Sequence, residues 1–189
     1  KLFGGVDPAM RLLNPISADL DVMRPSILPN LIDAARRNAA RGMGDLALFE
    51  LGPQYAGDQP DDQAIVAAGV RTGDMVGRHW SGARRAVDAF DGKADVLAAL
   101  TAIGAPADRL QTDRDVPGWY HPGRAGRLSL GPKNTIAVFG DIHPRVLKAL
   151  DISGPVVAFE IYLDNLPEPK SKDVRTRPLL KASSLQAVD

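Results

Sequence analysis

Apolar positions recur along this chain with two periods. Ile27, Leu28, Leu31, Ile32 and Ala35 advance by threes and fours, the spacing that lays one stripe along a helix. Ser26 stands where a hydroxyl accepts a backbone N–H at the helix start, and Arg41-Gly42 closes it. Arg36, Arg37 and Arg41 sit toward the C-terminal end, where cations favour the helix dipole. A second helix is predicted over 91–103, with Val96, Leu97, Leu100 and Ile103 on one side and Gly104 as its stop. A short third helix starts at Pro144, the proline marking a first helical position, with His143 as its cap.

Elsewhere the pattern is strand-like. Segments 46–51 and 64–71 flank a polar loop, Gly57-Asp58-Gln59-Pro60-Asp61-Asp62, that favours an antiparallel return. Segments 127–130 and 135–139 flank Gly131-Pro132-Lys133-Asn134, a second hairpin, and 156–163 reads as a further strand. Residues 10–15 form a short apolar stretch halted by Pro15, and partial alternation over 17–24 predicts an extended segment. Hairpins rather than regular strand–helix–strand units predict an α+β fold: a largely antiparallel sheet flanked by helices. That core is expected to span 1–165, with a Pro- and Lys-rich linker or tail over 166–189.

Composition narrows the function classes. At 189 residues, 44% hydrophobic and 24% charged, the chain carries enough apolar surface for one core. Lys plus Arg and Asp plus Glu both number 23, so no overall field draws it to nucleic acid or an anionic membrane. Without cysteine there is no disulfide framework, Cys-type zinc site or thiol nucleophile, which suits a reducing cytosol. No apolar run nears the length of a membrane span, and no signal peptide opens the chain at Lys1. The missing initiator Met and the ending at Asp189 suggest an excised fragment.

The three histidines, His79, His121 and His143, lie too far apart for a local metal motif, and no metal is expected. Asp58, Asp61 and Asp62 lack the glycine and closing glutamate of a calcium loop, and read as a solvated tip. Arg36-Arg37 and Arg84-Arg85 read as solvated faces or protein contacts. Trp119-Tyr120-His121-Pro122-Gly123-Arg124 crowds aromatic, imidazole and guanidinium groups into one expected loop, either a substrate contact or a packed corner. No phosphate-binding glycine loop or nucleophile elbow is present.

Five segments in order then resemble one family. They are Leu13-Asn14-Pro15-Ile16-Ser17 with Met23-Arg24-Pro25-Ser26-Ile27-Leu28-Pro29-Asn30-Leu31; Leu48-Phe49-Glu50-Leu51-Gly52; the Trp119 to Arg124 stretch; Phe139-Gly140-Asp141-Ile142-His143-Pro144-Arg145-Val146-Leu147-Lys148-Ala149-Leu150; and Pro155-Val156-Val157-Ala158-Phe159-Glu160. Together they resemble the β chain of bacterial phenylalanyl-tRNA synthetase. The resemblance implies a class II aminoacyl-tRNA synthetase-like fold that has lost catalysis, within a cytoplasmic heterotetramer of two α and two β chains. That enzyme joins phenylalanine to its tRNA with ATP and Mg; editing and anticodon-binding modules would lie outside 1–189. Class II cores usually carry Phe-Arg-x-Glu, whereas Leu46-Ala47-Leu48-Phe49-Glu50 has no arginine. They also carry Gly-x-Gly-x-x-Arg, where this chain places Glu160 and Tyr162 for the glycines and Asn165 for the arginine. Removing that cation and the close backbone approach leaves nothing to meet charge developing on a transferred phosphate. The segment is therefore expected to bind no cofactor and to hold no catalytic residue.

The implied role is assembly: packing against the α subunit and holding tRNA-binding parts in place. Its candidate interface residues are Arg24, Leu28, Leu31, Arg36 and Arg37 around the first helix, and Trp119, Tyr120, His121 and Arg124 in the second region. Arg24, Arg36 and Arg37 offer an alternative meeting place for tRNA. The rival reading is an independent small-molecule enzyme domain in which Tyr120, His121 and Arg124 converge in a pocket.

Overall fold

The computed structural model describes residues 2–5, 8–17, 21–77, 80 and 82–167. Helix α1, Leu28–Ala39, carries Leu28, Leu31, Ile32 and Ala35 on its buried stripe. The Ser26 hydroxyl accepts the Leu28 N–H at 3.1 Å, so the serine satisfies a free donor of the first turn as expected. The helix stops at Ala39, two residues before Arg41, and Gly42 turns the chain away at φ +86°.

Strands β1, Leu46–Tyr55, and β2, Gln63–Thr72, pair antiparallel from Leu46↔Thr72 to Tyr55↔Gln63. Both outrun the alternating pattern that signals them. A small second sheet joins β3, Asp74–Val76, to β4, Arg85–Ala86. Helix α2, Ala89–Ala102, begins on a capping box: the Asp88 carboxylate accepts the Phe90 and Asp91 N–H groups, and Asp91 accepts the Asp88 N–H. The short β5, Gln111–Asp113, pairs with β6, Tyr120–Ser129, which pairs with β7, Thr135–Ile142. Helix α3, Pro144–Ala149, has His143 Nδ1 accepting the Arg145 N–H, and β8, Val156–Tyr162, closes the sheet.

The six strands lie in the order β1-β2-β8-β7-β6-β5, and every pairing is antiparallel. Apolar cores form on both faces. On one, α1 meets Val66, Ala68, Val70, Val138 and Ala158; on the other, Val96 and Leu100 of α2 meet Leu128, Ile136, Phe139 and Ile161. Helix α2 packs chiefly over β7 and β8, and on β1, at the edge of the sheet, Phe49 and Leu51 stand 82% and 60% exposed.

Two expectations are corrected. The stretch expected as a loop, Trp119 to Arg124, is mostly the start of β6: Tyr120 pairs with Ile142, and the register shifts between Tyr120 and Ala125 to absorb Pro122 and Gly123. Leu28 and Leu31 of α1 face the core, so packing within the chain occupies them. The extended segment over 17–24 is met by a bridge between Arg11 and Val22, with 18–20 outside the described residues. His79 and 168–189 of the expected tail also lie outside them.

Candidate functional site

The centre of the sheet on the α1 face holds a carboxylate. Alternation along β8 sends Phe159 and Ile161 toward α2, which turns Glu160 toward α1, where it is 1% exposed. The Ser26 hydroxyl donates to its Oε1 at 3.0 Å, the Gln54 amide donates to the same oxygen at 3.1 Å, and the Tyr120 hydroxyl donates to Oε2 at 3.3 Å. Burial raises the Glu160 carboxyl above its ordinary value, while the bonds from Gln54 and Ser26 pull it back. The Trp119 indole N–H also favours the ionised form electrostatically, although no bond of good geometry reaches it. Burial first, and Glu160 second, push the Tyr120 hydroxyl well up, and the same two causes raise that of Tyr162.

Beyond Glu160, Tyr162 and Asn165 line a cavity of about 440 Å³. Arg127 also lines it but is already committed, from Nε to Asp113 at 3.1 Å and from Nη1 to Asp115 at 2.7 Å. The Asn165 amide donates to the Thr135 carbonyl at 2.7 Å, tying the end of the domain to β7.

The candidate interface residues divide sharply. Arg24 is half-buried and clasped to β1, through the Pro53 carbonyl at 3.0 Å and Glu50 at 2.5 Å. Arg36 and Arg37 are exposed on α1 and share Asp33. Trp119 is partly buried against Phe3, with ring centroids 5.9 Å apart, and Tyr120 is buried on Glu160. His121 stacks on His143 at 6.2 Å and accepts the Gly123 N–H, and exposed Arg124 meets Asp141 at 2.9 Å. Tyr120, His121 and Arg124 thus make three separate contacts rather than lining one pocket.

A larger cavity, about 1090 Å³, opens where the start of α2, the irregular part of β6, the end of β7 and the segment after α3 meet. Val87, Ile142, Leu147 and Ile152 give it apolar walls, and Asp141 also lines it; the Oδ1 of Asp141 is buried without a hydrogen-bond partner. Burial raises the Asp141 carboxyl, against the pull of Arg124 and His121. Neither cavity was visible in the sequence, because long-range pairings build both. Asp88, whose capping box starts α2, did carry a local signal in its spacing to Asp91. Among the described residues, no group of three or more His, Asp or Glu side chains is placed to hold a metal ion, and no helix is long and apolar enough to cross a membrane.

An antiparallel six-stranded sheet flanked by helices, with long hairpins β1-β2 and β6-β7, is the architecture of class II aminoacyl-tRNA synthetases. Pyrrolysyl-tRNA synthetase of Desulfitobacterium hafniense shares the fold, with a TM-score of 0.51 at 15% identity, over 82% of this chain and 50% of that one. The chain belongs to the family of the phenylalanyl-tRNA synthetase β chain CLM domain, whose model matches residues 4–163. It is 58% identical over 188 residues to the phenylalanine–tRNA ligase β subunit of Paramagnetospirillum magneticum and 56% identical over 188 residues to that of Rhodospirillum rubrum. Each match takes in 100% of this chain and 23% of the relative, so the chain spans about a quarter of the length of these β subunits.

Proposed function

We propose that this domain is a non-catalytic assembly module of a phenylalanine–tRNA ligase β subunit, packing against an α subunit that performs ATP-dependent attachment of phenylalanine to tRNA. The observation that carries this reading is Glu160. A buried carboxylate fixed by Ser26, Gln54 and Tyr120 occupies the middle of the sheet face where the resemblance calls for glycine and a close approach by nucleotide. Among the described residues, the arginines nearest that face are already engaged, Arg127 by Asp113 and Asp115 and Arg24 by Glu50, so a triphosphate would find no unpaired arginine there. On this reading ATP and Mg serve the α subunit, and the setting is a cytoplasmic heterotetramer with tRNA bound through the whole enzyme. Exposed Arg36 and Arg37, both paired to Asp33, and Phe49 and Leu51 on the edge strand are among the side chains placed to meet a partner.

The test pairs two measurements on the chain. A pulldown against the matching α subunit is expected to retain it, and phenylalanine-dependent ATP–pyrophosphate exchange by the chain alone is expected to be absent. Exchange above the buffer blank, or failure to bind α, would overturn the reading.

A further inference from the structure

The 1090 Å³ cavity lies apart from the Glu160 cluster, and its charges are unevenly satisfied. Of its four carboxylates, Asp113 is held by Arg127, Asp88 by backbone N–H groups of α2 and by Arg85, Asp141 by Arg124 through one oxygen only, and Asp151 has no ion-pair partner among the described residues. Three cations line the same space with no ion-pair partner among the described residues: Lys93 on α2, Arg114 after β5 and Lys148 on α3. Lys93 lies over the Phe139 ring, 5.8 Å from its centroid, and reaches the Thr112 hydroxyl only at 3.5 Å. Phe90, 78% exposed, offers a free aromatic face among the lining residues.

A ligand fitting this lining needs an anionic group for the cations, a flat apolar body for the aromatic face, and a hydrogen-bond donor for the carboxylates. An acidic peptide meets the first need but brings its carboxylates against Asp88, Asp113, Asp141 and Asp151, and an amino acid leaves most of the volume empty. A nucleotide meets all three. Its phosphate is anionic, its base stacks on aromatic rings, and its exocyclic amine is a donor. The volume leaves room for one, since it lies just above the range of about 300 to about 1,000 Å³ over which small-ligand sites run.

We propose that this cavity is a nucleotide-binding site, with phosphate on Lys93, Arg114 and Lys148, the base on Phe90, and its amine turned to Asp141. The nucleotide is either free or an unpaired residue of an RNA strand. The site is separate from the sheet face on which the assembly reading rests, so the two stand or fall separately: pyrophosphate exchange reads that face, and the binding of monophosphates reads this one.

The experiment is calorimetric titration of the chain with AMP, adenosine, inorganic phosphate and a short single-stranded oligoadenylate RNA, repeated on the K93A/R114A double variant and on F90A. Lys93, Arg114 and Phe90 are all half or fully exposed, so these variants are expected to keep the circular dichroism spectrum of the parent. AMP is expected to bind saturably and more tightly than adenosine or phosphate, with K93A/R114A weakening it at least tenfold and F90A several-fold. Oligoadenylate binding that is tenfold tighter than AMP and falls steeply with salt would identify the source as RNA; equal affinity would identify a free nucleotide. No saturable heat from AMP or oligoadenylate at millimolar concentration, or binding that both variants leave unchanged, would overturn the proposal.

Discussion

Glu160 and Asp141 stand on adjacent strands of one sheet, and burial pushes both carboxyls up, yet their surroundings differ in kind. Glu160 is enclosed on the α1 face, with a hydroxyl, an amide and a phenol directed at its two oxygens. Asp141 lies at the end of the sheet beside an open cavity, with an exposed arginine on one oxygen and nothing on the other. A fully answered buried acid rigidifies a fold, whereas a half-answered one leaves interaction capacity for something else. This contrast separates a structural centre from a candidate binding surface within 20 residues of sequence.

The strongest way to break the comparison is to empty the structural centre. Glu160→Ala leaves the Gln54 amide and Tyr120 hydroxyl without their acceptor and opens a hole beneath α1. Each stranded donor and the lost volume add up to about 4 kcal/mol of destabilisation. Urea denaturation followed by circular dichroism is the measurement, and a loss below about 1 kcal/mol would mean that the cluster is not the keystone its geometry suggests.

The next largest effect is expected beside Asp141. Gly140 sits at φ +142°, a conformation that side chains rarely adopt, and a β-carbon there would strike the backbone of Ala125 on β6. Gly140→Ala is therefore expected to cost about 3 kcal/mol through backbone strain and overpacking together. The same denaturation experiment checks it. Because the residue adjoins the cavity, this variant is also expected to lose AMP binding in conditions where it remains folded.

Much of the fold was legible in the sequence, and the limits are physical. The α1 stripe, both hairpins, α2 and β8 are local patterns, where spacing of three and four or alternation by two states the answer. The Glu160 cluster is not local: its partners lie 134, 106 and 40 positions away, and no spacing rule reaches that far. Pro122 and Gly123 argued for a loop, but pairing of Tyr120 with Ile142 and of Ala125 with Gly140 kept the strand and left only an irregular register between them. Leu28 and Leu31 fitted an interface stripe as well as a core stripe, because burial looks alike in sequence whichever surface provides it.

The smallest effect is also the cleanest test of why Glu160 is tolerated. A carboxyl raised by burial favours the folded state most while it is protonated, below its ordinary value of 4.5, and that contribution is lost as pH rises through the folded value. Asp91 and Asp113 run the other way: both are held below the ordinary 3.8, Asp91 chiefly by Arg85, so their contribution is present above that value and lost as pH falls. The whole-protein curve mixes these slopes, but Glu160→Gln isolates one. The amide keeps the shape and most hydrogen-bonding capacity of the neutral acid and never ionises. Stability of the variant and the parent is expected to agree at pH 4, with the variant gaining steadily above it and levelling off once Glu160 is fully ionised. Denaturant midpoints across the range give the difference directly. A variant that instead loses ground as pH rises would show that the three donors outweigh the cost of burial, and that the charge itself holds α1 to the sheet.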